Sequence, residues 1–210
     1  MLFLALQSLY DRLPQVTAGP AVEVLVRAGL EMTHGQHVDL LGQAMPLPTF
    51  EAYAKAIERK SGASFGAYAQ LVAIANGSPG LECQRFRDFG RLLGMMFQMM
   101  NDTHELWSAT LCPDFVNARL SLPFVLALEQ LAGRQREELD DLLAGPKDLE
   151  RQARLVAFLE GAGLRAYITM RIELIRRRVR EAARDLCLDA EPYLASLLET
   201  PAFPDRPIAV

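Results

Sequence analysis

The sequence lacks the patterns of a β-protein and of a membrane-spanning protein. Alternating runs of β-branched residues are almost absent, so strands are not expected. No apolar stretch reaches the roughly 18 residues that a bilayer-spanning helix needs. The apolar opening has no basic lead-in and is interrupted by Asp11 and Arg12, which argues against a secretory signal. We therefore predict no transmembrane segment and no leader.

Cysteine and net charge are also low. Cys83, Cys112 and Cys187 are odd in number, far apart and without a metal-binding spacing, which is typical of reduced thiols in a cytoplasmic protein. The 22 basic and 26 acidic residues give a net charge of −4. This charge is too small and of the wrong sign for electrostatic binding to nucleic acid, so we predict no nucleic-acid partner.

Apolar residues recur at helical spacing between proline and glycine breaks. Pro46 and Pro48 are predicted to end the second helix, since proline lacks the N–H donor. Thr49 and Ser121 are predicted N-caps. The pattern predicts one all-α domain over residues 1–210. Its expected helices are 2–13, 20–44, 49–61, 63–76, 81–108, 121–132, 134–144, 148–160, 163–188 and 190–199.

A polar stripe interrupts the apolar stretch FGRLLGMMFQMMNDTHELW. Gln98, Asn101, Asp102 and Glu105 follow helical spacing and project from one face. A carboxylate in such a helix must be paired, hydrated or bound to a metal, because an isolated buried charge is costly. Oxygen ligands at this spacing suit Mg²⁺. The alternative is that residues 101–105 are the hydrated end of a core helix.

A second polar stripe lies in EMTHGQHVDLLGQ. Gln36, Asp39 and Gln43 share one face of a predicted helix, as a ligand-binding row or as an interhelical hydrogen-bond network. His34 and His37 are one turn apart, but no third ligand stands at a spacing typical of zinc.

Basic side chains follow breaks in the helical pattern. Lys60 ends a helix on whose face Tyr53 and Ile57 also lie, and Arg119 stands just before the Ser-Leu-Pro helix start. Either side chain fits a surface charge or an anion-binding group. The run Arg176–Arg178 is interpreted as a mostly solvated or acid-paired face.

These segments together resemble the trans-isoprenyl diphosphate synthase (polyprenyl synthetase) family. HGQHVDL resembles its Gly-Gln-x-x-Asp helix, and YAKAIERKSGASF resembles its Tyr…Lys-Thr segment, with Ser61 in place of threonine. FGRLLGMMFQMMNDTHE resembles the second aspartate-rich motif. PDFVNARLSLPFVLALE resembles the segment that follows it, with Arg119 at the usual lysine. Order and spacing agree from about residue 20 to 190.

The resemblance implies an isoprenoid-synthase bundle of helices around a central cavity, usually dimeric. It also implies a prenyltransferase in which Mg²⁺ assists departure of the diphosphate from an allylic prenyl diphosphate, so that isopentenyl diphosphate attacks the carbocation. By resemblance, Asp102 would bind Mg²⁺, with Asn101 and Glu105 as weaker ligands. Lys60, Gln98 and Arg119 would hold the diphosphate, as would Gln36 and Asp39 in the facing helix.

Two departures from the family pattern leave alternatives open. Asn101 replaces an aspartate, which lowers the anionic charge at the metal site. The first aspartate-rich motif is expected about seventy residues before Gln36, by resemblance, and the sequence does not extend that far. We therefore expect a prenyltransferase whose missing helices come from elsewhere, or a non-catalytic subunit of a heteromer. A terpene cyclase, or an enzyme that uses an unusual acceptor, would share the same ionisation chemistry.

Overall fold

The computed structural model describes residues 2–41, 49–188 and 191–204, without side-chain detail for residues 2–3 and 35–41. Every regular element in these ranges is helical, which confirms the all-α prediction. A five-residue π-turn, Glu58–Gly62, joins α3 to α4. The helices are α1 (Leu2–Arg12), α2 (Gln15–Leu41), α3 (Phe50–Ile57), α4 (Ala63–Ala75), α5 (Gly80–Trp107), α6 (Pro113–Val116), α7 (Leu122–Gln130), α8 (Arg134–Ala144), α9 (Leu149–Gly161), α10 (Leu164–Asp185) and α11 (Pro192–Glu199).

The start of α2 differs from the prediction. The helix begins at Gln15, with Pro20 inside it, whereas the sequence predicted a start at residue 20. Pro20 removes the N–H that would bond the carbonyl of Val16. Val16 is 81% exposed, so water is available to that carbonyl and the helix tolerates the proline. The predicted stops Pro46 and Pro48, and also Gln43, lie outside the described residues.

Helix α5 is a 28-residue element against which α3, α4, α6, α7, α9 and α10 pack. One of its faces buries Met96, Met99 and Trp107 in the main core. Its opposite face carries Gly90 and Gly94, which lie against the backbone of α4 and of the π-turn. A β-carbon on Gly90 would stand 2.4 Å from the carbonyl oxygen of Phe65. The glycines therefore permit the close approach of α5 to its neighbour.

Arg176 on α10 is buried, within the arginine run that the sequence predicts to be mostly solvated or acid-paired. Arg176 is only 6% exposed, so the solvated alternative does not apply to it, whereas the acid-paired alternative does. Its guanidinium contacts Glu173 and donates to the carbonyl oxygen of Thr200 at 2.6 Å. It also reaches the sulfur of Met100 on α5 at 3.8 Å. Periodicity did not reveal this burial, because the segment that covers Arg176 is remote in sequence.

No described helix is both long enough and apolar enough to cross a membrane. The three cysteines, all of them within the described ranges, are free, with Cys83 and Cys112 buried and Cys187 exposed. This agrees with the prediction of unpaired thiols.

Candidate functional site

Asp102 is a buried carboxylate at the centre of a hydrogen-bond network. It is 4% exposed. Its Oδ2 accepts the Tyr53 hydroxyl at 2.7 Å and the Leu122 backbone N–H at 3.0 Å, and its Oδ1 accepts Gln98 Nε2 at 2.7 Å. Burial raises the pKa of Asp102 to about 6, against the lowering effect of these three donors. The network therefore joins α3, α5 and the start of α7 through one side chain.

Gln98 extends the network into the π-turn. Its Oε1 accepts the Ser61 hydroxyl at 2.6 Å while its Nε2 bonds Asp102. Ser61 follows Lys60 directly within the π-turn, and single π-turns in helical segments are frequent at functional sites. Lys60 itself is partly buried and engages a further interaction partner. Gln98 is thus connected to the residue that follows Lys60, and the predicted joint role of Lys60 and Gln98 stays a prediction.

The start of α7 is capped from another helix. Ser121 occupies the predicted N-cap position, but its side chain makes no capping bond and its buried Oγ has no hydrogen-bond partner among the described residues. The N-terminal N–H of Leu122 is bonded to Asp102 instead. A carboxylate there also interacts favourably with the positive end of the helix dipole. The capping role predicted for Ser121 is therefore performed by Asp102.

Arg119 is exposed on a segment whose backbone is held at both ends. Its N–H bonds the carbonyl oxygen of Asp114 at 2.9 Å, and its carbonyl accepts the N–H of Ser121 at 3.1 Å. Ala118, directly before it, has a left-handed φ of 51°, which is uncommon outside glycine. Arg119 therefore lies on a hydrogen-bonded turn, three residues before Leu122, whose N–H bonds Asp102.

Asn101 and Glu105 form the outer edge of the polar stripe. Asn101 is exposed, Glu105 is partly buried, and Asn101 Nδ2 donates to Glu105 Oε1 at 2.7 Å. No group of three or more histidine, cysteine, aspartate or glutamate side chains suited to a metal occurs within the described ranges. The side chains of Gln36 and Asp39 lie outside them, so the predicted facing of the two stripes stays a prediction.

Tyr53 is part of the site, although the sequence predicts only that it shares a helix face with Lys60. It is 6% exposed. A buried tyrosine usually has a hydrogen-bond partner for its hydroxyl. A tyrosine at a core position of α3 therefore indicates a polar group of another helix opposite it. That group is Asp102, 49 residues further along the chain.

The polyprenyl synthetase family model matches residues 1–160 of this chain. The chain belongs to the polyprenyl synthetase family. It is 27% identical over 153 residues to a short chain isoprenyl diphosphate synthase of Methanothermobacter thermautotrophicus, which covers 70% of this chain and 47% of that protein. It is 33% identical over 130 residues to a dimethylallyltranstransferase of Mycobacterium tuberculosis, covering 60% of this chain and 39% of that one. The chain thus spans less than half the length of these two relatives.

Solved structures of polyprenyl synthetases share the fold. A polyprenyl synthetase from Streptomyces coelicolor superposes with a TM-score of 0.81 at 23% identity, covering 94% of this chain and 63% of that one. A geranylgeranyl pyrophosphate synthase superposes with a TM-score of 0.83 at 18% identity, over 93% of this chain and 65% of that one. The predicted isoprenoid-synthase fold is confirmed.

Proposed function

We propose that the chain binds the diphosphate of an allylic prenyl diphosphate together with Mg²⁺, as the diphosphate-gripping half of a prenyl-transfer site in isoprenoid chain elongation. The observation that carries the proposal is a chain of hydrogen bonds. It runs from Ser61, next to Lys60 in the π-turn, through Gln98 and Asp102 to the backbone that follows Arg119. It joins the elements that carry both cations to one helix. Free thiols in an all-α chain suit a reducing, cytoplasmic environment.

Asn101 and Glu105 are the side chains that fit a magnesium ion best. They lie next to each other on the accessible edge of the stripe and offer oxygen ligands, which Mg²⁺ prefers. One or two such ligands suffice when substrate phosphates complete the coordination. The ion would neutralise charge on the departing diphosphate.

The protein's own groups perform the remaining steps. Lys60 and Arg119 hold the diphosphate oxygens and offset their charge, as phosphate-binding cations do. The amide oxygen of Gln98 faces the Ser61 hydroxyl at the edge of the apolar core, where a developing carbocation would be stabilised by an oxygen dipole. The apolar side chains of α5 and α7 keep water from the reacting carbon.

A non-catalytic subunit of a heteromer is the second candidate function. A groove of about 710 Å³ lies between α2, α4 and α5. It is crossed by Arg91, which pairs with Glu31 on α2 at 2.9 Å and with Glu58 in the π-turn at 3.4 Å. A prenyl tail would bind poorly beside these ionic side chains, because removing water from a charged group is costly. The groove therefore suits a polar surface of a partner chain better than a long prenyl tail.

Mg²⁺-dependent binding with little turnover is the expected result for the isolated chain. Calorimetric titration with farnesyl diphosphate should give binding that weakens without Mg²⁺. Lys60→Ala should weaken it about tenfold or more, since a charge-assisted hydrogen bond is lost. The control Lys55→Ala removes an exposed lysine paired with Glu51 on α3 and should leave affinity unchanged.

The turnover of the same preparation separates the two functions. In a labelled product assay we expect little condensation with isopentenyl diphosphate, because removing one charge-stabilising group commonly costs about 10²–10³ in rate and the sequence contains one aspartate-rich motif where the family uses two. Binding that ignores both Mg²⁺ and Lys60 would refute the diphosphate site. Rapid turnover would refute the subunit role.

We also expect a homodimer or a heteromer. Large apolar side chains are exposed on the first two helices, with Tyr10 69%, Val16 81% and Leu30 67% exposed. By resemblance this region forms the dimer contact. Light scattering should give a dimer mass for the wild type and a monomer mass for Leu30→Glu, whereas Leu174→Glu, at a 50% exposed position on α10, should remain dimeric. A wild-type monomer at micromolar concentration would contradict the homodimer.

A further inference from the structure

We propose that Asp102 is a positioning residue rather than a metal ligand, and that it holds the Lys60 turn and the Arg119 segment at fixed places on α5. The inference deepens the proposed function and depends on it for its substrate. It reassigns the side chain that the sequence predicted to bind Mg²⁺ directly.

The carboxylate of Asp102 has little capacity left for a cation. A carboxylate offers about four acceptor positions, and three of them are used by Gln98, Tyr53 and Leu122. The side chain is 4% exposed, whereas the neighbouring Asn101 is exposed. A metal could reach only the one remaining position of a buried carboxylate, and any donor that it displaced would be left buried and unpaired, which is unfavourable.

The contacts of Asp102 reach the two segments that carry the cations. Tyr53 belongs to α3, which runs directly into the π-turn, and Gln98 connects the carboxylate to Ser61 next to Lys60. The chain is thus held on both sides of Lys60, at Tyr53 in α3 and at Ser61 in the π-turn. On the other side, the N–H of Leu122 belongs to the backbone that continues from Arg119.

The chemistry of the network offers a conservative variant that separates positioning from ligation. In Asp102→Asn the amide oxygen can accept from Tyr53 and Leu122, while the amide N–H₂ faces Gln98. Gln98 can then turn its oxygen toward that donor and its N–H₂ toward the Ser61 hydroxyl, which can accept. Every hydrogen bond survives with part of the network reversed in polarity, but the anionic oxygen that a metal would need is lost.

The test compares Asp102→Asn, Asp102→Ala and Glu105→Gln with the wild type in the full chain. The first measurement is the affinity for farnesyl diphosphate with and without Mg²⁺. The second is hydrogen exchange of the backbone amides around Ser61 and Leu122, which requires no ligand. Positioning predicts that Asp102→Asn keeps the wild-type affinity within about threefold and its Mg²⁺ dependence, and that Asp102→Ala loses about 10–100-fold, as removal of an orienting partner commonly does.

The Mg²⁺ dependence should fall in Glu105→Gln and stay unchanged in Asp102→Ala. Exchange near both Ser61 and Leu122 should become faster in Asp102→Ala and stay slow in Asp102→Asn. Loss of Mg²⁺ dependence in Asp102→Asn would overturn the proposal in favour of direct ligation. If the wild type binds no farnesyl diphosphate, the proposed function fails, and positioning is then decided by exchange alone: unchanged exchange in Asp102→Ala would overturn it too.

Discussion

Gly90→Ala is expected to lower the free energy of unfolding by about 3 kcal/mol, at the upper end of the usual cost of overpacking. The new methyl group would stand 2.4 Å from the carbonyl oxygen of Phe65 and 2.9 Å from the α-carbon of Gly66. Both atoms are backbone, so no side chain can turn away and α4 itself must move. For a chain of this size the melting temperature should fall by roughly 6–12 °C, measurable by calorimetry.

Gly29→Ala is the matched control. Gly29 lies in the interior of α2, and within the described part of the chain a β-carbon there would meet no heavy atom within 4 Å beyond its chain neighbours and the backbone of its own helix. Alanine should stabilise that helix by up to about 1 kcal/mol, because glycine is the poorer helix former. If the two variants changed stability by similar amounts, the close approach of α4 to α5 at Gly90 would be wrong.

Gly90→Ala should also lower the affinity of the candidate site for a diphosphate. Gly94, one turn further along, is in the same tight contact with the backbone of Ser61. Moving α4 away from α5 would lengthen the 2.6 Å bond from Ser61 to Gln98. Loss of diphosphate affinity is therefore expected to accompany the loss of stability.

The stability of Asp102→Asn relative to the wild type is expected to rise by roughly 2–3 kcal/mol between about pH 4 and pH 7, since one pKa unit corresponds to about 1.4 kcal/mol. Burial raises the pKa of Asp102 from 3.8 to about 6, with a smaller contribution from the charge of Asp114. The folded state therefore holds this proton to a higher pH than the unfolded chain does. Its contribution is fully present below about pH 4 and is lost as the pH rises through about 6. The asparagine variant has no such proton to lose.

Urea unfolding of both proteins across this pH range measures the difference directly, because the titration of all other groups is common to the two. Asp140→Asn serves as the control. It removes an exposed carboxylate paired with Arg136, and its effect should stay below about 1 kcal/mol at every pH. A pH-independent difference between Asp102→Asn and the wild type would mean that Asp102 ionises in the folded protein as it does in solution.

Most helices could be predicted from the apolar period, and the family resemblance supplied their arrangement. The π-turn could not be predicted. The apolar spacing of YAKAIERKSGASF is the same whether residues 58–62 form an α-helical or a π-helical turn. The short helix α6 was also missed, since a single turn carries no period. The burial of Arg176 was missed because it depends on a segment more than twenty residues away.

The candidate site was predictable as a set of residues but not as a geometry. Helical spacing correctly put Gln98 and Asp102 on one face, and their side chains are bonded to each other. Spacing alone could not divide the stripe into an accessible edge, Asn101, and a buried centre, Asp102. That division depends on Tyr53 and Leu122, which approach from other helices and which no local pattern connects to α5.

The capping of α7 by Asp102 has a consequence for how the chain folds. Ser121 makes no capping bond, so the signal that begins this helix is supplied by a residue twenty positions earlier on a different helix. Nine residues are too few to form a stable helix alone in water. The first turn of α7 therefore depends on α5 for its side-chain cap, which couples the stability of the two helices.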